Sequence, residues 1–336
     1  MDTLKFAIVG CGHIGARHLD VLTDHSKITL VAVCDIDKEV LDTVGKEHPE
    51  VTLYESYDRM LSEGTFDIVS ICTPHGLHAE MSIKAVQSGR HVLVEKPMAL
   101  TSTDSDRMIE AAERAGVRLY VVKQNRYNTP IKLTKQALDE NRLGDIRMVQ
   151  CNVMWNRYDG YYEESPWRGV EALEGGALHT QVSHFIDLMI WWFGELENAK
   201  TLRDTLHHDI EFEDCGTAAL RFENGTLGSL LWTTCVYNRN YEGSITILGE
   251  KGTIKIGGPY LNEIEHWDVK SYPMPQNVKF DDTPNDYGRY KGSSSNHDVL
   301  IDKVVEQFVT DRRGVVEGEE GKKTIEAIEK IYGAAN

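Results

Sequence analysis

The hexapeptide Gly10-Cys11-Gly12-His13-Ile14-Gly15 constrains this chain more than any other segment, because of what stands on either side of it. Leu4 to Val9 reads as a continuous apolar strand, and Ala16, Leu19 and Leu22 recur at helical spacing immediately afterwards. A glycine-rich loop between strand and helix predicts a dinucleotide site: Gly10 makes the tight turn, Gly12 admits a pyrophosphate, and Gly15 lets the helix pack on the strand. The free N–H groups of the helix amino terminus, with His13 and Ile14 in its first turn, then face the phosphates. A second strand pattern, Ile28 to Cys34, ends in Asp35, twenty residues beyond Gly15. An acid there binds ribose hydroxyls and repels a 2′-phosphate, so the expected cofactor is NAD rather than NADP.

The alternation continues. Phe66 to Cys72 is a buried strand pattern that leads into Thr73-Pro74-His75-Gly76-Leu77-His78 and a helix through Ala79, Ile83 and Val86. Val92-Leu93-Val94 is a strand that ends in Glu95-Lys96-Pro97; a helix through Ser105 to Ala115 and a strand from Val117 to Lys123 follow. Strands alternating with helices of this length predict a doubly wound parallel sheet, an α/β unit over residues 1–123. Ligands of such sheets sit at the carboxyl ends of the strands. Thr73, Pro74, His75, His78 and Glu95 are therefore candidates for cofactor contact, and Lys96 is the first catalytic candidate.

At 336 residues the chain exceeds one comfortable core, and the pattern changes after Lys123. Gln124-Asn125-Arg126 precedes a helix through Leu133 and Leu138, and from Ile146 to Trp155 the residues alternate, with Val149, Cys151 and Val153 on one face and Met148, Gln150, Asn152 and Met154 on the other. Further strand patterns follow at Gly216 to Phe222, Thr226 to Thr234, Ser244 to Leu248 and Thr253 to Ile256, with an Asn224-Gly225 turn between the first two. Residues 124–336 are thus expected to form an α+β domain on a large, mostly antiparallel open sheet. Its sparsely charged face suits a second subunit better than water. Helical stripes return at Val299 to Phe308 and Ile325 to Ile331.

The second chemical segment is Gly175 to Asp187, where two glycines open a helix that ends near Gly194. At 3.6 residues per turn Thr180, His184 and Asp187 share one face, while His179 lies about 140° from His184. A neutral imidazole suits removal of a hydroxyl proton near neutral pH, which makes His184 the second catalytic candidate.

Fifty-three Asp and Glu against 36 Lys and Arg leave a net charge of −17, which repels nucleic acid and anionic membranes. An anionic ligand then needs local guanidinium groups, and Arg126 and Arg168 are the candidates. The six cysteines are scattered without a CxxC pair, as expected of reduced thiols in the cytoplasm, no leader is expected, and no apolar run approaches the length of a membrane span. No metal is expected: His75 and His78 lack a third ligand, and residues 207–214 read as a solvated acidic connection.

Taken together, Gly10 to Gly15, Thr73 to His78, Glu95-Lys96-Pro97, Gln124-Asn125-Arg126 and Gly175 to Asp187 resemble the Gfo/Idh/MocA oxidoreductases over nearly the whole chain. The resemblance implies a Rossmann domain, a homotetramer, and hydride transfer to NAD from a sugar hydroxyl carbon. Tyr161-Tyr162, Trp167-Arg168-Gly169, the run from Gly243 to Gly252 and the run from Asn262 to Trp267 resemble the family branch that oxidises C3 of UDP-N-acetylglucosaminuronate for surface polysaccharides. For that branch the implied substrate contacts are Lys96, Tyr161, Trp167, Arg168, Thr180, Gln181 and His184. Many family members have Asp, and the UDP-sugar branch usually Asn, where this chain has Thr180. The proton acceptor is then either His184 or Lys96, whose ordinary pKa of about 10.4 would have to fall. Another sugar or cyclic polyol as substrate, a redox-neutral reaction with retained NAD, and an NAD-binding sensor stay open.

Overall fold

The computed structural model describes residues 3–280, 284–286, 291–310 and 314–334. The chain divides into two compact units, residues 1–123 with 297–325, and residues 124–296 with 326–336.

The first unit is built on six parallel strands, β1 (Leu4–Val9), β2 (Ile28–Cys34), β3 (Thr52–Tyr54), β4 (Ile68–Ile71), β5 (His91–Val94) and β6 (Leu119–Val121), in the order β3-β2-β1-β4-β5-β6. Helices α1 (His13–Asp24), α2 (Lys38–Glu47), α3 (Tyr57–Glu63), α4 (His78–Gln87) and α5 (Ser102–Ala115) connect them. Phe6, Ile8, Ile68, Ile71 and Leu93 are fully buried, as expected of strands covered on both faces. Each such side chain contributes about 1.5–3 kcal/mol of transfer free energy. Strand order reverses between β1 and β4, and the loops at Gly10 and Thr73 leave from the carboxyl ends of those two strands. A crevice at such a reversal is where this architecture binds its ligand.

The second unit carries α6 (Thr129–Asp139), β7 (Ile146–Met154), the short helices α7 (Asp159–Glu163) and α8 (Glu171–Glu174), α9 (Ser183–Phe193), and then β8 (Leu196–Asp204), β9 (Cys215–Phe222), β10 (Leu227–Thr233), β11 (Glu242–Gly249), β12 (Gly252–Gly257) and β13 (Glu263–Val269). Its seven strands run in the order β13-β12-β11-β7-β10-β9-β8, all antiparallel except the parallel β10–β7 pair. Val149, Cys151 and Val153 point into a core shared with Phe185, Leu188 and Met189 of α9. The opposite face carries Met148, Leu227, Leu231 and Leu248, each more than a third exposed. Register places Met148 beside both Leu227 and Leu248, so these side chains form one apolar row across three strands.

The two compact units do not follow a single cut at residue 124. Helix α10 (His297–Thr310) and the start of α11 (Gly318–Gly333) belong to the first unit. The physical reason is at the sheet edge, where Val121 N–H donates to the Val316 carbonyl at 2.8 Å and Tyr120 bridges Glu317. His297 is also buried against Glu95.

Candidate functional site

In the first unit, the glycine loop is fixed by backbone contacts. Gly10 has φ +86° and lies so close to β4 that a Cβ on it would stand 2.8 Å from the Cys72 carbonyl; one on Gly15 would fall 1.9 Å from the Gly10 oxygen. A Cβ on Gly12 meets no atom within 4 Å, and Gly12 and His13 are exposed, with Ile14 half-buried. Gly12 stands at the N-cap of α1, with no side-chain cap and no acid in the first turn, which leaves the helix N–H groups to an anion. Asp35 at the end of β2 accepts from Cys11 N–H at 2.6 Å and Asp37 N–H at 2.9 Å. These bonds aim a half-buried carboxylate beside the loop, with lone pairs remaining on both oxygens. The loop, the uncapped helix and the acid fit a dinucleotide.

Around Lys96 the expected roles change. His78 is 1% exposed and its two ring nitrogens face the Pro97 carbonyl at 2.7 Å and the Thr73 carbonyl at 2.9 Å. Burial lowers its pKa, and a neutral imidazole has a single N–H, which it donates to one of these two carbonyls, so the ring is packed against backbone on both sides. Thr73 and Pro74 are half-buried, and the His75 ring packs near His78 with centroids 5.6 Å apart. Glu95, also expected at the cofactor, is 4% exposed and points inward: Oε1 accepts from His18 Nε2 at 3.0 Å and His297 Nε2 at 3.2 Å, and Oε2 from Lys96 N–H at 3.0 Å. Burial alone would raise the Glu95 pKa, but the two histidines hold it well below the usual carboxylate range. Burial likewise opposes a charged His18, yet the Cys72 sulfur and the Glu95 carboxylate outweigh it and push the pKa up to about 10. His297 is shifted down by its burial. His18, Glu95 and His297 also lie within reach of a single cation, but the hydrogen bonds account for this arrangement. Lys96 itself is half-buried, and its peptide bond to Pro97 is cis.

In the second unit, residues 178–182 form a π-helical turn that runs into α9. The wide turn sits between His179 and His184, so angular spacing counted at 3.6 residues per turn does not hold across it. Gly176 has φ +116°, and a Cβ there would meet the Tyr332 hydroxyl at 2.3 Å, which accounts for the glycine entry. That hydroxyl accepts from Leu178 N–H at 3.2 Å and donates to Glu213 at 2.8 Å. His179 Nδ1 is held by the Gly175 carbonyl at 2.8 Å, whereas His184 lies one turn on and is 4% exposed.

Tyr161 is the centre of a cationic wall. The guanidinium of Arg168 lies 4.1 Å from its ring centroid and that of Arg157 5.1 Å, with the Trp167 ring 5.4 Å from Arg168. Gln181 donates to the Tyr161 hydroxyl at 3.3 Å, and Gln181 Oε1 has no partner among the described residues. Behind the wall, burial pushes the Glu174 carboxyl up, opposed by Gly169 N–H, Thr180 and the two arginines. Arg157 and Glu174 were not among the expected site residues. Their only sequence signals are a charge just past a strand and one before the glycine pair, which surface residues share.

Arg126 takes another role than the expected one. Its Nε and Nη2 donate to Asp187 at 2.7 and 2.9 Å in a buried bidentate pair, and its guanidinium lies 4.7 Å from the Trp191 ring centroid. Two nitrogens of the guanidinium fork are thus taken up by an internal carboxylate. The connection at residues 207–214 is also organised and not merely solvated. Asp214 is fully buried and accepts N–H bonds from Leu206, His207 and His208 at 2.8, 2.9 and 2.9 Å. His208 Nε2 donates to the Arg157 carbonyl at 2.8 Å, so this loop supports the cationic wall.

The sequence matches the oxidoreductase family with an NAD-binding Rossmann fold over residues 4–123 and the GFO/IDH/MocA C-terminal domain over residues 131–255. Two crystal structures are similar along nearly the whole chain. The WlbA dehydrogenase of Bordetella pertussis, in complex with NADH and UDP-GlcNAcA, is 37% identical with a TM-score of 0.89, covering 99% of this chain and 96% of that one. That of Chromobacterium violaceum, with the same two ligands, is 38% identical with a TM-score of 0.91, covering 99% and 94%. A 1-carboxy-3-chloro-3,4-dihydroxycyclohexa-1,5-diene dehydrogenase of Comamonas testosteroni is 28% identical over 74% of this chain, and the match spans only 63% of that protein's length. With both family domains present in order and a full-length likeness at this identity, the chain belongs to the Gfo/Idh/MocA family of oxidoreductases and carries its NAD-binding Rossmann domain.

Proposed function

We propose that this protein is an NAD-dependent dehydrogenase that oxidises the C3 hydroxyl of UDP-N-acetylglucosaminuronate to the 3-keto sugar. The observation that carries the proposal is the likeness, over 99% of the chain, to two structures that hold NADH and UDP-GlcNAcA together. The cationic wall supports it. In a chain of net charge −17, the half-buried Arg168 stacked on Tyr161, with the buried Arg157 beside the same ring, supplies a local cation suited to a sugar carboxylate or a diphosphate.

In this reading, His184 accepts the proton of the substrate hydroxyl, and the Lys96 ammonium hydrogen-bonds the same oxygen and stabilises its developing charge. NAD, when bound, supplies the hydride acceptor. Gly10, Gly12, His13, Ile14 and Gly15 hold its phosphates and Asp35 its ribose, while Tyr161, Trp167, Arg168, Thr180 and Gln181 line the substrate side. The product's place in surface polysaccharide synthesis, a cytoplasmic location and a tetramer are parts of the same proposal.

The test is turnover with UDP-GlcNAcA and NAD, read by NADH release and by the mass of the sugar product. Loss of two hydrogens with stoichiometric NADH is expected, and UDP-GlcNAc, whose sugar carries no carboxylate, should react far more slowly because it leaves a cation of the site without its partner. Lys96→Met and His184→Ala should each lower kcat by about 10²–10⁴ with NAD still bound. An inert uronate combined with rapid oxidation of a free polyol would overturn the substrate assignment. Near-normal kcat in His184→Ala would shift the proton to Lys96 or water.

A further inference from the structure

We propose that Glu95, together with His18 and His297, is a positioning centre for Lys96, which fixes where β5 releases the lysine and ties that point to the cofactor-binding helix. The inference rests on the reading of Lys96 as the group that stabilises the substrate oxygen. It goes beyond that reading by assigning work to three buried residues behind the lysine.

Lys96 is half-buried between two buried neighbours, each anchored by histidine. On one side the Glu95 carboxylate accepts three hydrogen bonds, from two imidazoles on Oε1 and from the Lys96 N–H on Oε2. On the other side the Pro97 carbonyl is held by His78 at 2.7 Å. The lysine backbone is therefore pinned before and after the residue, leaving the side-chain torsions as its main freedom.

The partners of Glu95 come from separate parts of the first unit. His18 lies on α1, the helix whose uncapped amino terminus follows the glycine loop, and its Nδ1 meets the Ser70 hydroxyl on β4 at 2.7 Å. His297 opens α10, 202 residues further along the chain from Glu95, and is fully buried with its ring 5.3 Å from that of His18. Its Nδ1 has no partner among the described residues. The Nε2 bond to Glu95 is thus the polar contact that accounts for a buried histidine at this point, since a hydrophobic side chain would otherwise fill the space at lower desolvation cost. Small errors in the placement of a catalytic group are costly, which is why supporting hydrogen bonds of this kind matter to rate more than to binding.

The experiment compares His297→Leu, His297→Gln and Glu95→Gln, each alone and combined with Lys96→Met, in the full-length protein with UDP-GlcNAcA and NAD. We expect His297→Leu to lower kcat about 10–100-fold, with KM for NAD within about threefold of wild type. His297→Gln should recover most of the rate, because its amide N–H can replace the Nε2 donor. In the Lys96→Met background the His297→Leu change should cost nothing further, as expected of two residues acting as one unit. Losses that multiply, equal defects for Leu and Gln, or an unchanged kcat would each overturn the positioning centre. If His297→Leu does not fold, Glu95→Gln carries the same comparison with its volume kept. A wild-type rate for Lys96→Met sinks the reading of Lys96 itself, a result separate from multiplying losses in a background where Lys96→Met is impaired.

Discussion

Replacing Arg126 by Met separates two roles for this side chain. Its Nε and Nη2 reach Asp187 at 2.7 and 2.9 Å, with the arginine side chain 9% and the aspartate 3% exposed. Methionine keeps much of the aliphatic volume but removes both charged hydrogen bonds to a carboxylate that water barely reaches. Breaking a buried pair from one side costs about 3–5 kcal/mol. Loss of the stacking on Trp191 adds about 0.5–2 kcal/mol. For a unit of this size a kcal/mol corresponds to about 2–4 °C, so the transition of the second unit should fall by about 7–28 °C in scanning calorimetry at neutral pH. The double variant Arg126→Met with Asp187→Leu should regain most of that loss, since well-packed apolar residues replace buried ion pairs at little net cost. NAD affinity, measured by titration calorimetry well below the transition, should change little. A single variant that melts like wild type but binds NAD at least about tenfold more weakly would show a phosphate contact and refute the internal role.

Asp35→Ala should lose discrimination between NAD and NADP by about 1–3 kcal/mol in kcat/KM, the scale of a charged hydrogen bond, and a wild type that prefers NADP would sink the assignment. N–H bonds from Leu206, His208 and His207 outweigh the cost of burial and hold the Asp214 pKa down to about 2, below its ordinary 3.8. Its contribution to stability is therefore complete above about pH 4 and lost as the pH falls towards 2. Asp214→Asn should melt below wild type at pH 7, with the gap closing over that interval; a gap independent of pH would argue against the depressed carboxylate. The row of Leu248, Met148 and Leu227 predicts self-association through the open sheet face. Light scattering should return a multiple of 38 kDa, with Met148→Glu shifting it towards monomer, and a wild-type monomer at micromolar concentration would exclude this assembly.

The parallel sheet is legible because its signals are local. An apolar run, a glycine-rich loop and a helical stripe follow one another within some twenty residues, and β2 coincides with the Ile28 to Cys34 pattern. Strands β8 and β13 gave no comparable signal. Leu196, Ala199 and Thr201 are the buried residues of β8 and Val269 that of β13, too few and too unevenly spaced for period two to stand out. The return of residues 297–325 to the first unit was hidden for a different reason. An amphipathic stripe shows that a helix has a buried face but not which sheet receives it, and the Val121–Val316 bond that decides this joins residues 195 apart.

The geometry of the candidate site is legible where it depends on local backbone shape and illegible where it depends on long-range pairing. Gly10 and Gly15 stand where backbone approaches too closely for a Cβ and Gly12 where the loop stays open, and the local strand–loop–helix order points to all three. The internal partners of Arg126, Glu95 and His78 are not legible, because a charged or aromatic polar residue at a strand end has the same appearance whether it faces a ligand or the interior. What distinguishes these cases is the partner, and the partners Asp187 and His297 lie 61 and 202 positions away, with His78 bonded to a backbone carbonyl that no side-chain pattern reveals. The same limit applies to Arg157, whose neighbour Tyr161 was recognised while the guanidinium stacked on it was not. A chain this acidic must supply its cations locally, so charge balance predicts that arginines are needed, whereas only the packing decides which ones are spent on Asp187 and which stand on Tyr161.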